Sequence, residues 1–196
     1  RKTFNFNFQG SLFGSGMVRR GYRDWVAPFA SAMFADNDMF IITDAPANYT
    51  PLEPYDHTHE RKTYRPKDHP HNHLMPFDAA YYQTMVDSNF TLCPGGDHPW
   101  SMRFHEAILA GSIPVIDSVS TDLSDHTVAF WVTRIGYRYF TTKEMLDLTL
   151  SSVELKSIVD HNYDLLMRYQ TWLEGDLVPP AYAAYRNRCL SYSKCA

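Results

Sequence analysis

The sequence predicts an α/β domain, built as a parallel sheet flanked by helices. Two observations support this prediction. Short apolar runs with strand-like composition alternate along the chain with longer segments of helical periodicity. In the stretch Ser88 to Ile116, a Gly-rich turn joins one such strand to a helix, and a second apolar strand follows the helix directly. That order is the crossover pattern by which two parallel strands are connected.

The first predicted strand is Lys2 to Phe8, in which apolar and polar residues alternate with a period of two. A Ser/Gly-rich loop follows from Gly10 to Gly16. The spacing of apolar residues then predicts a helix over Val18 to Met33, despite Pro28. Met39 to Ile42 is short and wholly apolar, which predicts a buried strand.

Residues 45–76 form a long polar segment, rich in Pro and His, which we predict to be an irregular loop. A short amphipathic helix is predicted over Phe77 to Val86, and it leads into a strand at Phe90 to Leu92. Helical spacing resumes from about Trp100 to Leu109. The next strand is Ile113 to Ile116.

A polar loop then precedes a strand predicted at Val128 to Val132. Residues 141–190 are predicted to be mainly C-terminal helices. Their segments are Thr142 to Leu150, Val153 to Leu173 and Ala181 to Leu190, with Thr141 or Thr142 and Ser151 or Ser152 as candidate caps. We expect residues 1–196 to form a single domain, because this length suits one hydrophobic core.

The composition limits the possible functions. The chain is 44% hydrophobic and 20% charged, with a net charge of −4, so it is not basic enough for nucleic-acid binding to be its main role. No apolar run approaches the ~20 residues needed to span a bilayer. Because the chain starts at Arg1, we expect it to be a portion of a longer protein.

Three cysteines are too few for a disulfide scaffold. We predict that Cys93 is a buried free thiol, while Cys189 and Cys195 are candidates for a bridge.

The turn after the third predicted strand contains residues suited to binding an anion. Pro94, Gly95 and Gly96 form this turn, and a helix N-terminus after such a turn offers backbone N–H groups to an anion. Arg103 adds a fork of donors suited to phosphate. Glu106 lies on the same helix face and could accept hydrogen bonds from a sugar diol. The alternative is a surface ion pair of little energetic weight. Together these residues predict a nucleotide site.

This stretch resembles the signature of the exostosin-like family of inverting GT-B glycosyltransferases, whose donor-binding half contains F-x-L-C-P-x-G, then S-x-R-x-x-E-A, then G-x-I-P-V-I. One position departs from it, since Gly95 stands where a basic residue is usual. The resemblance implies that this chain is the Rossmann-like, C-terminal donor-binding half of such an enzyme. The matching residues are Phe90, Leu92, Cys93, Pro94, Gly96, Ser101, Arg103, Glu106, Ala107, Gly111, Ile113, Pro114, Val115 and Ile116.

The resemblance also implies individual roles. Glu106 would hold the ribose hydroxyls of a uridine nucleotide, with Arg103 near its phosphates. Ser101 would cap the helix or give its hydroxyl to a phosphate. The loop after the first strand would face the nucleotide, although a flexible loop before a helix is the alternative, and Arg19 or Arg20 would reach the diphosphate. The predicted donor-binding residues are Gly10, Ser11, Arg19, Arg20, Pro94, Gly95, Gly96, Ser101, Arg103 and Glu106.

Several other polar residues are weaker candidates for the site. A histidine cluster in the long loop could bind zinc, although we favour an irregular or acceptor-facing loop; it comprises His57, His59, His69, His71 and His73. His98 or His105 could contact the sugar or the diphosphate, and Asp97 a sugar hydroxyl. Asp36-Asn37-Asp38 has the spacing of an Asp-x-Asp metal motif, but it precedes a strand and is predicted to be a turn. We therefore predict no metal site.

The resemblance implies an inverting transfer of a sugar from a UDP-sugar to a glycan or glycoprotein hydroxyl, without a metal and without a cofactor. In GT-B enzymes the base commonly comes from the other, N-terminal domain, so no catalytic residue is predicted here. The alternative is a non-catalytic nucleotide- or carbohydrate-binding module derived from such an enzyme. A viral or algal type of member, of xylosyl- or glucuronosyltransferase kind, fits the chain best. It would act in the Golgi lumen if cellular, or in the host cytoplasm if viral.

Overall fold

A computed structural model describes residues 2–13, 22–52, 54–60, 79–96, 101–118 and 135–169. Helices and strands alternate along this part of the chain. The strands are β1 (Phe4–Gly10), β2 (Met39–Ile42), β3 (Ser88–Leu92), β4 (Ile113–Ile116) and β5 (Phe140–Thr141). The helices are α1 (Val26–Met33), α2 (Ala79–Val86), α3 (Arg103–Leu109), α4 (Thr142–Met145) and α5 (Ser152–Tyr169).

The described strands form one five-stranded parallel sheet in the order β2-β1-β3-β4-β5. The predicted Rossmann-like α/β class is therefore confirmed. The chain passes from β1 outward to β2 and then returns across β1 to β3. The direction of strand addition thus reverses beside β1. In open parallel sheets, the loops that leave the carboxyl ends of the two strands at such a reversal diverge, and ligands bind in the crevice between them.

Strand β1 lies inside the sheet and is buried on both faces from Phe6 onward. On one face, Phe6 packs edge-on against Phe29 of α1, with ring centroids 5.8 Å apart. On the other face, Asn7 and Gln9 are only 0% and 5% exposed. The amide Nε2 of Gln9 donates to the backbone oxygen of Tyr81 in α2, at 3.3 Å. The period-two pattern correctly predicted this strand. Its polar residues Asn7 and Gln9 are nevertheless buried, because parallel sheets are covered on both sides.

Two predicted helices begin later than their periodicity indicates. Helix α1 begins at Val26, because the described residues 22–25 form a turn. Pro28 then lies in the first helical turn, where its missing N–H costs no hydrogen bond. Helix α3 begins at Arg103, since the described residues just before it are not helical. The predicted helix from Thr142 is also shorter, as α4 ends at Met145.

The last two described helices begin with reciprocal capping. The backbone N–H of Glu144 donates to Oγ1 of Thr141, and Oε2 of Glu144 accepts from the backbone N–H of Thr141 at 2.7 Å. Ser151 and Glu154 repeat the arrangement ahead of α5. These pairs are capping boxes. Of the alternatives named from the sequence, Thr141 and Ser151 are therefore the caps.

The Asp36-Asn37-Asp38 run forms the turn between α1 and β2, as predicted. The Asp38 side chain is 1% exposed. Its Oδ1 accepts from the backbone N–H groups of Asn5 and Phe6, both at 2.8 Å, and its Oδ2 accepts from that of Ala35. Asp38 therefore ties the start of β1 to this turn.

The described part of the predicted long loop packs along the edge of β2. The backbone N–H of Phe40 donates to the oxygen of Tyr55, and the N–H of His57 donates to the oxygen of Phe40. Tyr55 is 6% exposed. Apart from a single bridge between Phe40 and Asp56, residues 45–52 and 54–60 contain no strand or helix. This segment therefore covers the sheet edge while remaining irregular.

Some predictions lie outside the described residues, namely the strand at Val128 to Val132, the final helix and the pairing of Cys189 with Cys195. The short strand β5 was not predicted, because two residues are too few to show a period. None of the helices in the described ranges has the length and apolar character needed to cross a bilayer.

Candidate functional site

The described donor-binding candidates gather at the carboxyl ends of β1 and β3, beside the reversal of strand order. Gly10 is the last residue of β1, and Ser11 follows it. The turn 94–96 follows β3. Arg103 and Glu106 lie on α3, the helix that connects β3 to β4. The tertiary structure therefore brings the two separate sequence elements to one edge of the sheet.

The guanidinium group of Arg103 lies against the end of β1. It stands over the ring of Phe8, with Cζ 5.3 Å from the ring centroid. A methyl group placed on Gly10 would be 2.7 Å from Nη2 of Arg103 and 3.2 Å from Nη1. The Nε of Arg103 donates to the hydroxyl of Tyr81 at 3.2 Å. The Nη1 of Arg103 is buried and has no hydrogen-bond partner within the described ranges. A charged donor therefore remains for a ligand at this edge.

The Glu106 carboxylate is held by two tyrosines of α2. Tyr81 donates its hydroxyl proton to Oε2 at 2.8 Å, and Tyr82 donates to Oε1 at 3.3 Å. Each carboxylate oxygen can accept two hydrogen bonds, so both oxygens retain capacity. Among the described residues, Arg103 and Glu106 make no direct ion pair. The surface ion pair considered as an alternative therefore does not form.

The protonation states of the two tyrosines fit this role. Burial raises the pKa of Tyr81, against the opposing effect of the Arg103 charge. Burial also raises the pKa of Tyr82, and the nearby Glu106 carboxylate adds to that shift. Both hydroxyl groups therefore keep their protons at neutral pH and serve as donors to the carboxylate.

Arg23 is a site residue that the sequence analysis missed. Its Nε donates to the backbone oxygen of Gly95 at 2.8 Å, and its Nη1 donates to that of Ser11 at 2.5 Å. It therefore joins the loop after β1 to the turn after β3. A methyl group on Gly96 would lie 3.7 Å from its Nη2. The guanidinium group of Arg23 thus lies beside Gly95, the position at which the family signature usually has a basic residue.

The arginines named from the sequence, Arg19 and Arg20, lie outside the described residues. The signal for Arg23 was present, since three arginines follow the Ser/Gly-rich loop within a few residues. Spacing could not choose among them, because the segment around Arg23 is a turn instead of the predicted helix.

Ser101 does not cap α3, contrary to one of its two predicted roles. The cap position is Met102, which makes no side-chain capping bond. The N–H groups of Phe104 and His105 donate to the backbone oxygens of Ser101 and Met102. These two N–H groups are therefore engaged within the turn. The Ser101 hydroxyl is buried without a partner among the described residues.

Thr43 and Asp44, which follow β2, add polar atoms to the same edge. The N–H of Thr43 donates to the oxygen of Gly10, and Oδ1 of Asp44 accepts from the N–H of Leu12 at 2.8 Å. The hydroxyl of Thr43 and Oδ2 of Asp44 are buried, and neither has a partner in the described part of the chain. The sequence analysis had assigned these two residues no role.

The described histidines of the long loop have local partners. Nδ1 of His57 lies 2.7 Å from Oε2 of Glu60, and Nε2 of His59 lies 3.3 Å from the oxygen of Tyr49. Within the described ranges, no group of three His, Cys, Asp or Glu side chains could hold a metal ion. The other members of the predicted cluster, His69, His71 and His73, lie outside those ranges, as do Asp97 and His98.

His105 and Cys93 lie in the packed interior behind the site. The His105 ring contacts the rings of Phe104 and Tyr137, and burial lowers its pKa while the Glu106 charge opposes that shift. Cys93 is a buried free thiol, as predicted, and burial raises its pKa to about 12.

A separate cavity of about 720 Å³ lies at the amino ends of β1 and β3, bordered by Phe4 and Asn89. None of the predicted donor-binding residues that the structure describes borders it.

Comparison with known proteins identifies related sequences. The family model of the exostosin GT47 domain matches residues 18–133, which is more than half of the chain. A probable glucuronosyltransferase of Oryza sativa subsp. japonica is 36% identical over 87 residues, covering 41% of this chain and 19% of the rice protein. A second rice protein of the same description is 55% identical over 38 residues, covering 19% of this chain and 9% of the relative. The chain thus matches less than a fifth of the length of either relative.

Proposed function

Because the chain belongs to the exostosin GT47 family of glycosyltransferases, we propose that it binds the nucleotide-sugar donor in an inverting, metal-independent sugar transfer. The donor is a UDP-sugar, and the acceptor is a hydroxyl group of a glycan or glycoprotein. The observation that supports this proposal most directly is the placement of Arg103, Glu106 and Arg23 around the point where strand order reverses.

Arg103 and Arg23 are the groups that bind the diphosphate. When the sugar leaves, negative charge grows on the departing UDP, and fixed positive charges stabilise that charge in the transition state. Nη1 of Arg103 has a free N–H donor for this purpose within the described structure. Guanidinium groups need no added cation, which supports metal independence. Asp38, the buried member of the Asp-x-Asp spacing, is already engaged by three backbone N–H groups.

Glu106 accepts hydrogen bonds from the ribose diol of the nucleotide. Its two oxygens each hold one tyrosine hydroxyl and retain a second acceptor position. A carboxylate that accepts from two vicinal hydroxyl groups selects a ribonucleotide. The family resemblance supports uridine as the base.

The transfer itself is a single displacement. The acceptor oxygen attacks the anomeric carbon while the bond from that carbon to the UDP oxygen breaks on the opposite face. The acceptor proton passes to a general base, which we place in an N-terminal domain as in related GT-B enzymes. Since both rice relatives are described as probable glucuronosyltransferases, UDP-glucuronic acid is the first donor to test and UDP-xylose the second.

A thermal-stability experiment tests the nucleotide assignment. A ligand at ~100 times its dissociation constant stabilises the fold by about 2.7 kcal/mol. We expect UDP to produce such a shift and GDP to produce none. A shift with GDP and none with UDP would remove the uridine assignment.

A turnover experiment separates the enzyme from a binding module. In protein that includes the N-terminal domain, where we place the base, we expect UDP release from the donor to persist in excess EDTA and to fall sharply in Arg103→Ala. Arg168→Ala is the matched control, because Arg168 is a solvent-exposed arginine of α5 paired with Asp164. Binding of UDP without any UDP release would support the non-catalytic module instead. Loss of turnover in EDTA with recovery in Mn²⁺ would contradict metal independence.

A further inference from the structure

The hydroxyl group of Tyr81 lies between the two charged residues of the site. It accepts from Nε of Arg103 at 3.2 Å and donates to Oε2 of Glu106 at 2.8 Å. Arg103 and Glu106 are three residues apart on one helix, a spacing at which opposite charges normally pair. Here they do not pair within the described structure, and the tyrosine oxygen bridges them.

This bridge leaves a distinct part of each charged group for a ligand. Arg103 uses its Nε, and its Nη1 remains without a partner in the described ranges. Glu106 accepts one tyrosine proton at each oxygen and keeps a lone pair on both. A direct ion pair would instead use the terminal nitrogens of Arg103 to neutralise the carboxylate.

We propose that Tyr81 is a positioning residue that keeps Arg103 and Glu106 apart, so that one binds the diphosphate and the other the ribose of the same nucleotide. This inference rests on the proposed function and names a residue that acts through both of these contacts.

The surroundings of Tyr81 fix its position. Its backbone oxygen accepts from Nε2 of Gln9, a buried residue of strand β1. Its ring packs edge-on against that of Tyr82, with centroids 5.1 Å apart. Burial raises the pKa of Tyr81, so its hydroxyl proton stays available for Glu106. The bridging oxygen is therefore attached to the sheet and not to a free surface side chain.

Tyr82 provides the matched control, because its hydroxyl contacts Glu106 alone of the two charged residues. The experiment measures binding of UDP, uridine and inorganic pyrophosphate to the 196-residue chain by NMR titration. We expect Tyr81→Phe to weaken both uridine and pyrophosphate about tenfold, since an oriented hydrogen bond to a charged group is lost on each side. Tyr82→Phe should weaken uridine and leave pyrophosphate unchanged.

A double substitution distinguishes positioning from general damage to the fold. If Tyr81 acts on uridine through Glu106, then Tyr81→Phe adds little further loss in a Glu106→Gln background. Pyrophosphate binding should still fall in that background. Additive losses for both ligands would indicate a structural role and overturn the proposal.

A measurement on the unsubstituted protein makes the inference independent of variant folding. The Nε–H of Arg103, assigned by its disappearance in Arg103→Lys, should be protected from exchange before and after pyrophosphate is added. An unprotected Nε–H overturns the positioning role, as does unchanged binding of all three ligands by Tyr81→Phe. In those cases UDP binding by the parent still supports the proposed function. If the parent itself fails to bind UDP, the proposed function fails, and this inference fails with it.

Discussion

Gly10 and Arg103 lie so close together that a methyl group on Gly10 would overlap the guanidinium group of Arg103. A methyl group on Gly10 would stand 2.7 Å from Nη2 of Arg103, well inside van der Waals contact. The backbone of Gly10 does not adopt a positive φ, so this glycine is required by space and not by conformation. The end of β1 therefore shapes the position of the guanidinium.

We expect Gly10→Ala to weaken UDP binding about tenfold, because the methyl group displaces the guanidinium and weakens a charge-assisted contact. The free energy of unfolding should change little, since the atom that must move is the end of a flexible side chain. Calorimetric titration and urea denaturation measure the two effects. Val153→Ala, at an exposed position of α5, is the control. Equal UDP affinity in both variants would contradict this role for Gly10.

Glu106→Gln should lower UDP affinity by about ten- to a hundredfold, because a hydrogen bond to a charged group contributes about 1.5–3 kcal/mol. The melting temperature without ligand should stay near that of the parent, since glutamine keeps the shape of the side chain. Asp147→Asn, at an exposed position, removes the same charge as a control. Should Glu106→Gln bind UDP as the parent does, Glu106 is structural and not part of the nucleotide site.

Asp38→Ala should destabilise the fold far more than Asp36→Ala. The first change leaves three backbone N–H groups of the turn and β1 without their acceptor, and a single buried unpaired group costs about 1–3 kcal/mol. Asp36 is exposed, so its loss should stay within ~0.5 kcal/mol. Chemical denaturation measures both. Equal stability of the two variants, with turnover lost in both, would instead favour a metal site at this turn.

The Cys93 thiol should resist alkylation in the folded protein at pH 8 and react readily in urea. The thiolate is the reactive form, and burial raises the pKa of Cys93 from its ordinary value of 9.0 to about 12. Because the pKa is higher in the folded state, ionisation favours the unfolded chain as pH rises above 9.0 toward 12, and stability falls over that range. Mass spectrometry of the peptide containing Cys93 reads out the labelling. Rapid labelling of the native protein would show that the thiol is accessible.

Local sequence patterns correctly predicted the α/β class and most of the described strands, and they identified two charged candidate residues for the site. Met39 to Ile42 and Ile113 to Ile116 are strands at the predicted bounds. The signal for these strands is local, because a short apolar run bounded by turn residues is typical of a buried strand. Arg103 and Glu106 were predicted because three residues in one helix place them on one face, just after a Gly-rich turn in a stretch that resembles a family signature.

Which other residues lie close to Arg103 and Glu106 depends on how distant parts of the chain pack together. Arg23 bonds to Gly95, 72 residues away, and Tyr81 bonds to Arg103, 22 residues away. Such contacts depend on β3 pairing with β1 across the reversal of strand order. Periodicity and propensity describe neighbours within one or two turns of chain, so they cannot specify which loops converge. The bridging role of Tyr81 and the choice of Arg23 therefore appear only once the strands have paired.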